Sequence, residues 1–287
     1  MPAAVPVWHQ LARSCATTSR SATPSSSAAP RTTDSSGLGP RRFYERVTVE
    51  PAPSSVDKEN GNVFGGFVVH LDGKSALTSA RNLLQAQSRT LAIALAGEWD
   101  AQQDRLRPSS MPLTRLLAAS LDVVQHDKQR FQDNILRFVH TDSFALRADY
   151  PRELVSRQNE LLEPVEEHLK QLGIHYRIVR GALEATQEQK TVDAIRDIVK
   201  QLDHLQLAAM DSAASCGKSA AVAVAMWHGL DAGQATNAAR SEEVWQAEIW
   251  GTVEGGHDLD HADVCVRMNA AELVFRCAGL HREPEPS

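Results

Sequence analysis

Residues 64–78 read Phe64-Gly65-Gly66-Phe67-Val68-Val69-His70-Leu71-Asp72-Gly73-Lys74-Ser75-Ala76-Leu77-Thr78, and this stretch decides the fold class. Phe64 to Leu71 is rich in β-formers, Asp72-Gly73 is a tight-turn pair, and Lys74 to Thr78 reads as a short return strand. Upstream, Phe43-Tyr44-Glu45-Arg46-Val47-Thr48-Val49 alternates in part and stops at Glu50-Pro51. Between the two lies a polar stretch, Val56 to Asn62, with the turn signal Asn60-Gly61. These segments predict a small antiparallel sheet of three strands.

From Ala80 onward the apolar period becomes helical. Leu83, Leu84, Leu91, Ile93, Ala94 and Leu95 predict a helix running toward Trp99. Pro112 suits the first turn of a long helix reaching about Val139, with Leu113, Leu117, Leu121 and Val124 on one face. Further helices are expected from Pro151 to near Gly173, across Val192 to Leu205, over Ala220 to Trp227, over Ala232 to Ile249 and from about Asp260 to Cys277. Ile174 to Val179 reads as one more strand. Ala220 to Trp227 is apolar on every side, which marks a buried central helix. The predicted class is α+β, predominantly α: a β-rich unit at 41–80, a mainly helical one at 81–280 and a disordered tail at 281–287.

Residues 1–40 are a different kind of sequence. Met1 to Ser36 is mostly Ala, Ser, Thr and Pro, with Arg13, Arg20, Arg31 and Asp34 as its charged side chains. Such a segment cannot bury enough apolar surface to offset the entropy of ordering it. An acid-poor, Ser-rich, Arg-bearing composition also matches an organellar transit peptide. Cleavage is expected between Ala28 and Arg42. The whole chain has 30 basic and 36 acidic residues, so losing residues 1–40 leaves 27 against 35 and a net charge of −8. An acidic balance argues against nucleic acid as partner. No apolar run approaches the ~20 residues of a membrane span.

The chemical motifs are few. Cys216-Gly217-Lys218-Ser219 ends like a phosphate-binding loop, but Ser212 stands where the pattern needs its first glycine. Four scattered cysteines make neither a disulfide scaffold nor a zinc pair. His257, Asp258 and Asp260 concentrate possible ligands but lack the His pair of a zinc-protease helix, and they read better as a helix start with acidic residues near its positive end. No metal, no cofactor and no catalytic group is expected. An enzyme or small-molecule binder built on the His257/Asp258/Asp260 cluster is the alternative.

Two blocks stand out. Glu98-Trp99-Asp100-Ala101-Gln102 is followed by Met111-Pro112-Leu113-Thr114-Arg115, and Trp250-Gly251-Thr252-Val253-Glu254 leads into Gly256-His257-Asp258. With Arg42-Phe43-Tyr44 and Leu71-Asp72-Gly73-Lys74, in this order, they resemble the assembly-chaperone family that protects the α subunit of mitochondrial F1-ATPase. The resemblance implies a chaperone without catalysis or required nucleotide, acting in the mitochondrial matrix as a monomer and capturing the F1 α subunit before it joins β. Trp99 is expected to anchor the core, and Arg115 to pair with Glu98 or Asp100 between helices. Glu254, His257, Asp258 and Trp250 are the expected partner-binding residues, because a Gly-rich break between helices displays side chains rather than packing them.

Overall fold

The computed structural model describes residues 39–52, 55–56, 63–181, 185–251 and 257–279. The leader to residue 38, the Asn60-Gly61 turn, Glu254 and the expected tail at 281–287 lie outside these. The class is α+β, mostly α: a small antiparallel sheet comes first and helices make up the remainder.

The sheet is centred on β4 (Phe67–Leu71). β1 (Val47–Pro51) pairs along one edge with Val47 opposite Leu71 and Pro51 opposite Phe67. β5 (Lys74–Ser75) and β6 (Gln85–Ala86) share the other edge at its two ends. A separate ladder joins β2 (Ser55–Val56) to β3 (Val63–Phe64). The expected strand from Phe64 to Leu71 is therefore broken at Gly65-Gly66. The reason is close packing: a Cβ on Gly66 would lie 2.8 Å from the Ala86 carbonyl oxygen. The Asp72-Gly73 hairpin forms as expected, with φ of 49° and 77° at its two central residues. Leu83 and Leu84, expected in a helix, instead run back along the sheet into β6, with Leu77 bridging Leu83.

α1 spans Arg89–Asp100. The long helix expected from Pro112 is interrupted: α2 (Pro112–Ala119) passes into a π-helical turn (Ser120–Val124), and α3 (Lys128–Phe138) starts afresh. The Gln125 N–H reaches the Ser120 carbonyl five residues back, and the Asp127 carboxylate then caps the new helix by accepting the Arg130 N–H. The extra residue has a use. Asp122, on the π turn, accepts the Thr78 hydroxyl at 2.6 Å and the Asn82 amide at 2.9 Å, fastening the loop that leaves the sheet to the helical part.

The remaining elements are β7 (Leu146–Arg147), α4 (Arg152–Gln171), β8 (Val179–Arg180), α5 (Gln189–Gln201), α6 (His204–Gly217), α7 (Ala220–Trp227), α8 (Ala232–Ala239), α9 (Ser241–Trp250) and α10 (His257–Gly279). Two expected helices are each split. An Asp203–Gln206 capping box starts α6, and Arg240 separates α8 from α9. The strand expected over Ile174 to Val179 shrinks to β8, paired in parallel with β7. α7 is the centre of the molecule, with Ala220 to Met226 all buried. Each fully buried Val or Met contributes about 1.5–3 kcal/mol. Cys216-Gly217-Lys218-Ser219 is the corner feeding α7: Lys218 takes a left-handed conformation and the Ser219 hydroxyl accepts the Val222 N–H, so it is a helix junction and not a phosphate loop.

Candidate functional site

The Glu98-to-Arg115 block builds a brace between the sheet and the helices. Glu98 reaches from the end of α1 to the start of α2, where its two carboxylate oxygens accept the N–H groups of Leu113 at 2.7 Å and Thr114 at 2.8 Å. A helix start leaves such donors without intrahelical partners, so a carboxylate there is well placed. Burial pushes the Glu98 pKa up to about 7, with those same N–H bonds pulling against it. Gln102 donates to the Glu98 carbonyl and to Ser110 Oγ while its own Oε1 accepts the Arg107 N–H at 2.7 Å. Met111 is buried beside them and Pro112 opens α2.

Arg42 closes the brace from the sheet side. Its guanidinium donates to the carbonyls of Tyr44, Glu45, Asp100 and Gln102 and pairs with the Asp100 carboxylate at 3.6 Å. Tyr44 donates its hydroxyl to the Trp99 carbonyl at 2.7 Å, with the two rings 5.7 Å apart. Trp99 packs against the core, and its indole N–H is buried without a partner among the described residues. Arg115 corrects the expectation: it is exposed on α2 and has no ion pair with Glu98 or Asp100. Backbone N–H groups have taken the place at Glu98 that the guanidinium was expected to fill.

The second block behaves differently. Trp250, at the end of α9, is 74% exposed, beside Ile249 at 59%. Trp245 supports Trp250 edge-on, 6.4 Å between ring centroids. On the far side of the connection Leu259, in the first turn of α10, is 61% exposed. Large apolar side chains displayed this way mark interaction sites more often than isolated exposure does. Many carboxylates around them are already paired: Glu243 with Lys218, Glu248 with Arg157, Asp260 with Arg240 and Asp263 with Arg267. Asp258 is exposed and unpaired among the described residues. His257 begins α10. The structure thus places Trp250, His257 and Asp258 at the two ends of one connection and leaves Glu254 outside the described residues.

One residue escaped the sequence reading. Asp142 is fully buried beneath the start of α7, where it accepts the N–H groups of Phe144 at 3.0 Å and Ala221 at 2.9 Å and the Tyr176 hydroxyl at 3.1 Å. Burial raises its pKa to about 6, against the pull of these bonds. A single aspartate in a Thr-Asp-Ser loop carries no signal of such a position.

Residues 41–170 match the family model of the ATP12 chaperone protein. A mitochondrial Atp12 protein of Schizosaccharomyces pombe is 26% identical over 251 residues, covering 83% of this chain and 82% of that one. Among solved structures, Atu1473 of Agrobacterium tumefaciens is 34% identical, with a TM-score of 0.72, covering 83% of this chain and 86% of that one. Atp12 of Paracoccus denitrificans is 27% identical, with a TM-score of 0.70 over 83% of this chain and 97% of that one. The brace from Arg42 to Arg115 falls wholly within the matched segment, and the likeness of fold extends well beyond it. The chain belongs to the ATP12 chaperone protein family.

Proposed function

We propose that this protein is an assembly chaperone of the mitochondrial matrix, that it is not an enzyme, and that it holds the unassembled α subunit of F1-ATPase until the β subunit displaces it. Family membership supports the chaperone role, and the name of the fission-yeast relative supports the compartment. The single observation that carries the binding mode is the exposed apolar pair Ile249 and Trp250 at the end of α9. An orphan subunit exposes an interface whose core is apolar and whose burial prevents aggregation. An aromatic anchor such as Trp250 supplies affinity, and acidic groups such as the exposed Asp258, with Glu254 of the same connection, steer the encounter. Release requires that most of the binding energy sit in a few such anchors, which a competing subunit strips in one step.

The test is aggregation of purified F1 α subunit, followed by light scattering with and without an equimolar amount of this protein. Suppression by the wild-type chain, lost on Trp250→Ala while the fold persists, supports the assignment. Equal aggregation in all arms sinks it.

A further inference from the structure

α4 turns one face inward and the opposite face to solvent. Leu154, Gln158, Leu162, Val165 and Leu169 are its buried residues, while Glu153, Glu160, Glu163 and Glu167 are exposed. At 3.6 residues per turn, positions 153, 160 and 167 recur on one line and 163 falls beside it, so the four carboxylates form a row about 20 Å long. None of the four has an ion pair among the described residues, and the α4 cations Arg157 and Lys170 already pair with Glu248 and Glu166. Glu160, Glu163 and Glu167 stand at i,i+3 and i,i+4 spacings, where like charges oppose the helix, so the row costs stability that a cationic partner would restore. The row does not stand alone. α9 packs along α4, and the Arg157–Glu248 pair fastens the last turn of α9 one helical turn from both Glu153 and Glu160. The next two residues of α9 are the exposed Ile249 and Trp250. An apolar pair is thus set at the side of an acidic row, on two helices held together by an ion pair.

We propose that this face docks a basic segment of the captured subunit, with an apolar side chain on Ile249 and Trp250 and lysines or arginines along the α4 row. The inference rests on the α-subunit reading for the identity of the partner, and on charge complementarity for its chemistry. An uncharged apolar segment needs only the end of α9. Four unpaired carboxylates beside it repel acidic segments and favour basic ones. Because the row is solvated, it contributes encounter rate and orientation, while the apolar pair contributes residence time. That division suits a client that is later released. A divalent cation is a poor occupant, because the carboxylates lie along a line rather than around a point, and no group of three metal-binding side chains occurs among the described residues.

The experiment uses the full chain and a fluorescently labelled amphipathic peptide of leucine and lysine, read by anisotropy, with a leucine/glutamate counterpart. Saturable binding of the first, weakening as salt is raised, and no binding of the second are expected. Glu160→Lys with Glu163→Lys should weaken binding about tenfold, and Glu160→Gln with Glu163→Gln by less. Glu50→Lys, an exposed charge reversal on β1, should leave it unchanged, and melting curves establish that all variants fold. In parallel, the double reversal should weaken protection of the F1 α subunit in the light-scattering assay. No binding of the leucine/lysine peptide, or equal weakening by Glu50→Lys, overturns the proposal. So does full protection of the α subunit by the double reversal, which leaves the α-subunit reading standing if Trp250→Ala still abolishes protection. Peptide binding as expected, with no protection of the α subunit by the wild-type chain, removes the α-subunit reading and supports a basic segment of another client. Tighter binding of a peptide of residues 1–20 than of the leucine/lysine peptide makes the chain's own leader the occupant and overturns the choice of the captured subunit.

Discussion

The α1–α2 brace and the α9–α10 connection are built from the same materials, a tryptophan among carboxylates, and they set those tryptophans in opposite environments. At the brace, Trp99 is packed, and Glu98 meets two helix-starting N–H groups in a buried setting that raises its pKa to about 7. At the connection, Trp250 is displayed and Asp258 is unpaired among the described residues. The difference teaches that a dense motif signals mutual satisfaction of polar groups as readily as it signals partner contact. Every member of the brace except Arg115 has an internal task, so substitutions there act through folding. Substitutions at the exposed Trp250 and Asp258 are expected, on the proposed function, to act through binding.

The largest test of this contrast is Trp99→Arg. A guanidinium forced into a packed aromatic site bears an uncompensated burial cost of several kcal/mol. Loss of soluble protein, or a melting temperature lowered by well over about 10 degrees, is expected. A variant melting within about two degrees of wild type would place Trp99 at a contact surface and erase the contrast.

Arg42→Ala comes next. It strips donors from four carbonyls, and the half-buried ones among them lose their partners, for about 2–4 kcal/mol. Chemical denaturation measures it, and a loss below about 1 kcal/mol would mean that water replaces the guanidinium freely.

A third effect is pH-dependent. Glu98 and Asp142 both bind protons more tightly when folded, at about 7 and about 6. Their contribution is fully present below their unfolded values, near 4, and is lost as pH rises through 6 and 7, so these two groups make the fold more stable at pH 5 than at pH 8. His168, whose pKa burial and His228 lower, works in the opposite sense over part of this window. Asp72 and Asp122, held low by hydrogen bonds to their charged forms, matter only in stronger acid. A melting temperature that rises by a few degrees between pH 8 and pH 5, with a flatter slope in Glu98→Gln, is the expected outcome. An identical slope in that variant would remove Glu98 from the account.

The smallest effects on stability fall at the connection. Trp250→Ala should cost less than about 1 kcal/mol of folding stability, its edge-on contact with Trp245, yet weaken capture of the α subunit by tenfold or more. Glu254→Lys should change stability by less than about 0.5 kcal/mol and slow capture in a salt-sensitive way. Paired melting and light-scattering measurements read both. A sharp drop in melting for either variant would make the connection structural and collapse the comparison from its other end.

Particular elements show how far sequence reading reached. The β4–β5 hairpin was legible because Asp72-Gly73 is a local turn instruction, and α7 because an all-apolar octet has only one place to go. The single helix from Pro112 was not, because its break at Ser120–Val124 depends on Asp122 meeting Thr78 and Asn82, residues more than thirty positions away. Leu83 and Leu84 carry apolar side chains that suit helix or strand equally, and only the free edge of β4 selected the strand. The brace residues were identifiable as a block, but their roles were not: Arg115 was expected to pair with Glu98, and backbone donors pair with it instead.

By itself, then, the sequence determined what local chemistry controls: the class α+β, the hairpin, most helix starts and stops, the acidic balance and the membership of a chaperone family. Tertiary structure alone decided which tryptophan is packed and which is shown, that Asp142 is buried under α7, and that Arg41 is paired opposite Arg105 in an antiparallel bridge. The physical reason is range. Turn propensity and apolar period act within one helical turn or one hairpin, whereas burial, pKa and the opposition of charges are set by residues brought together from distant parts of the chain.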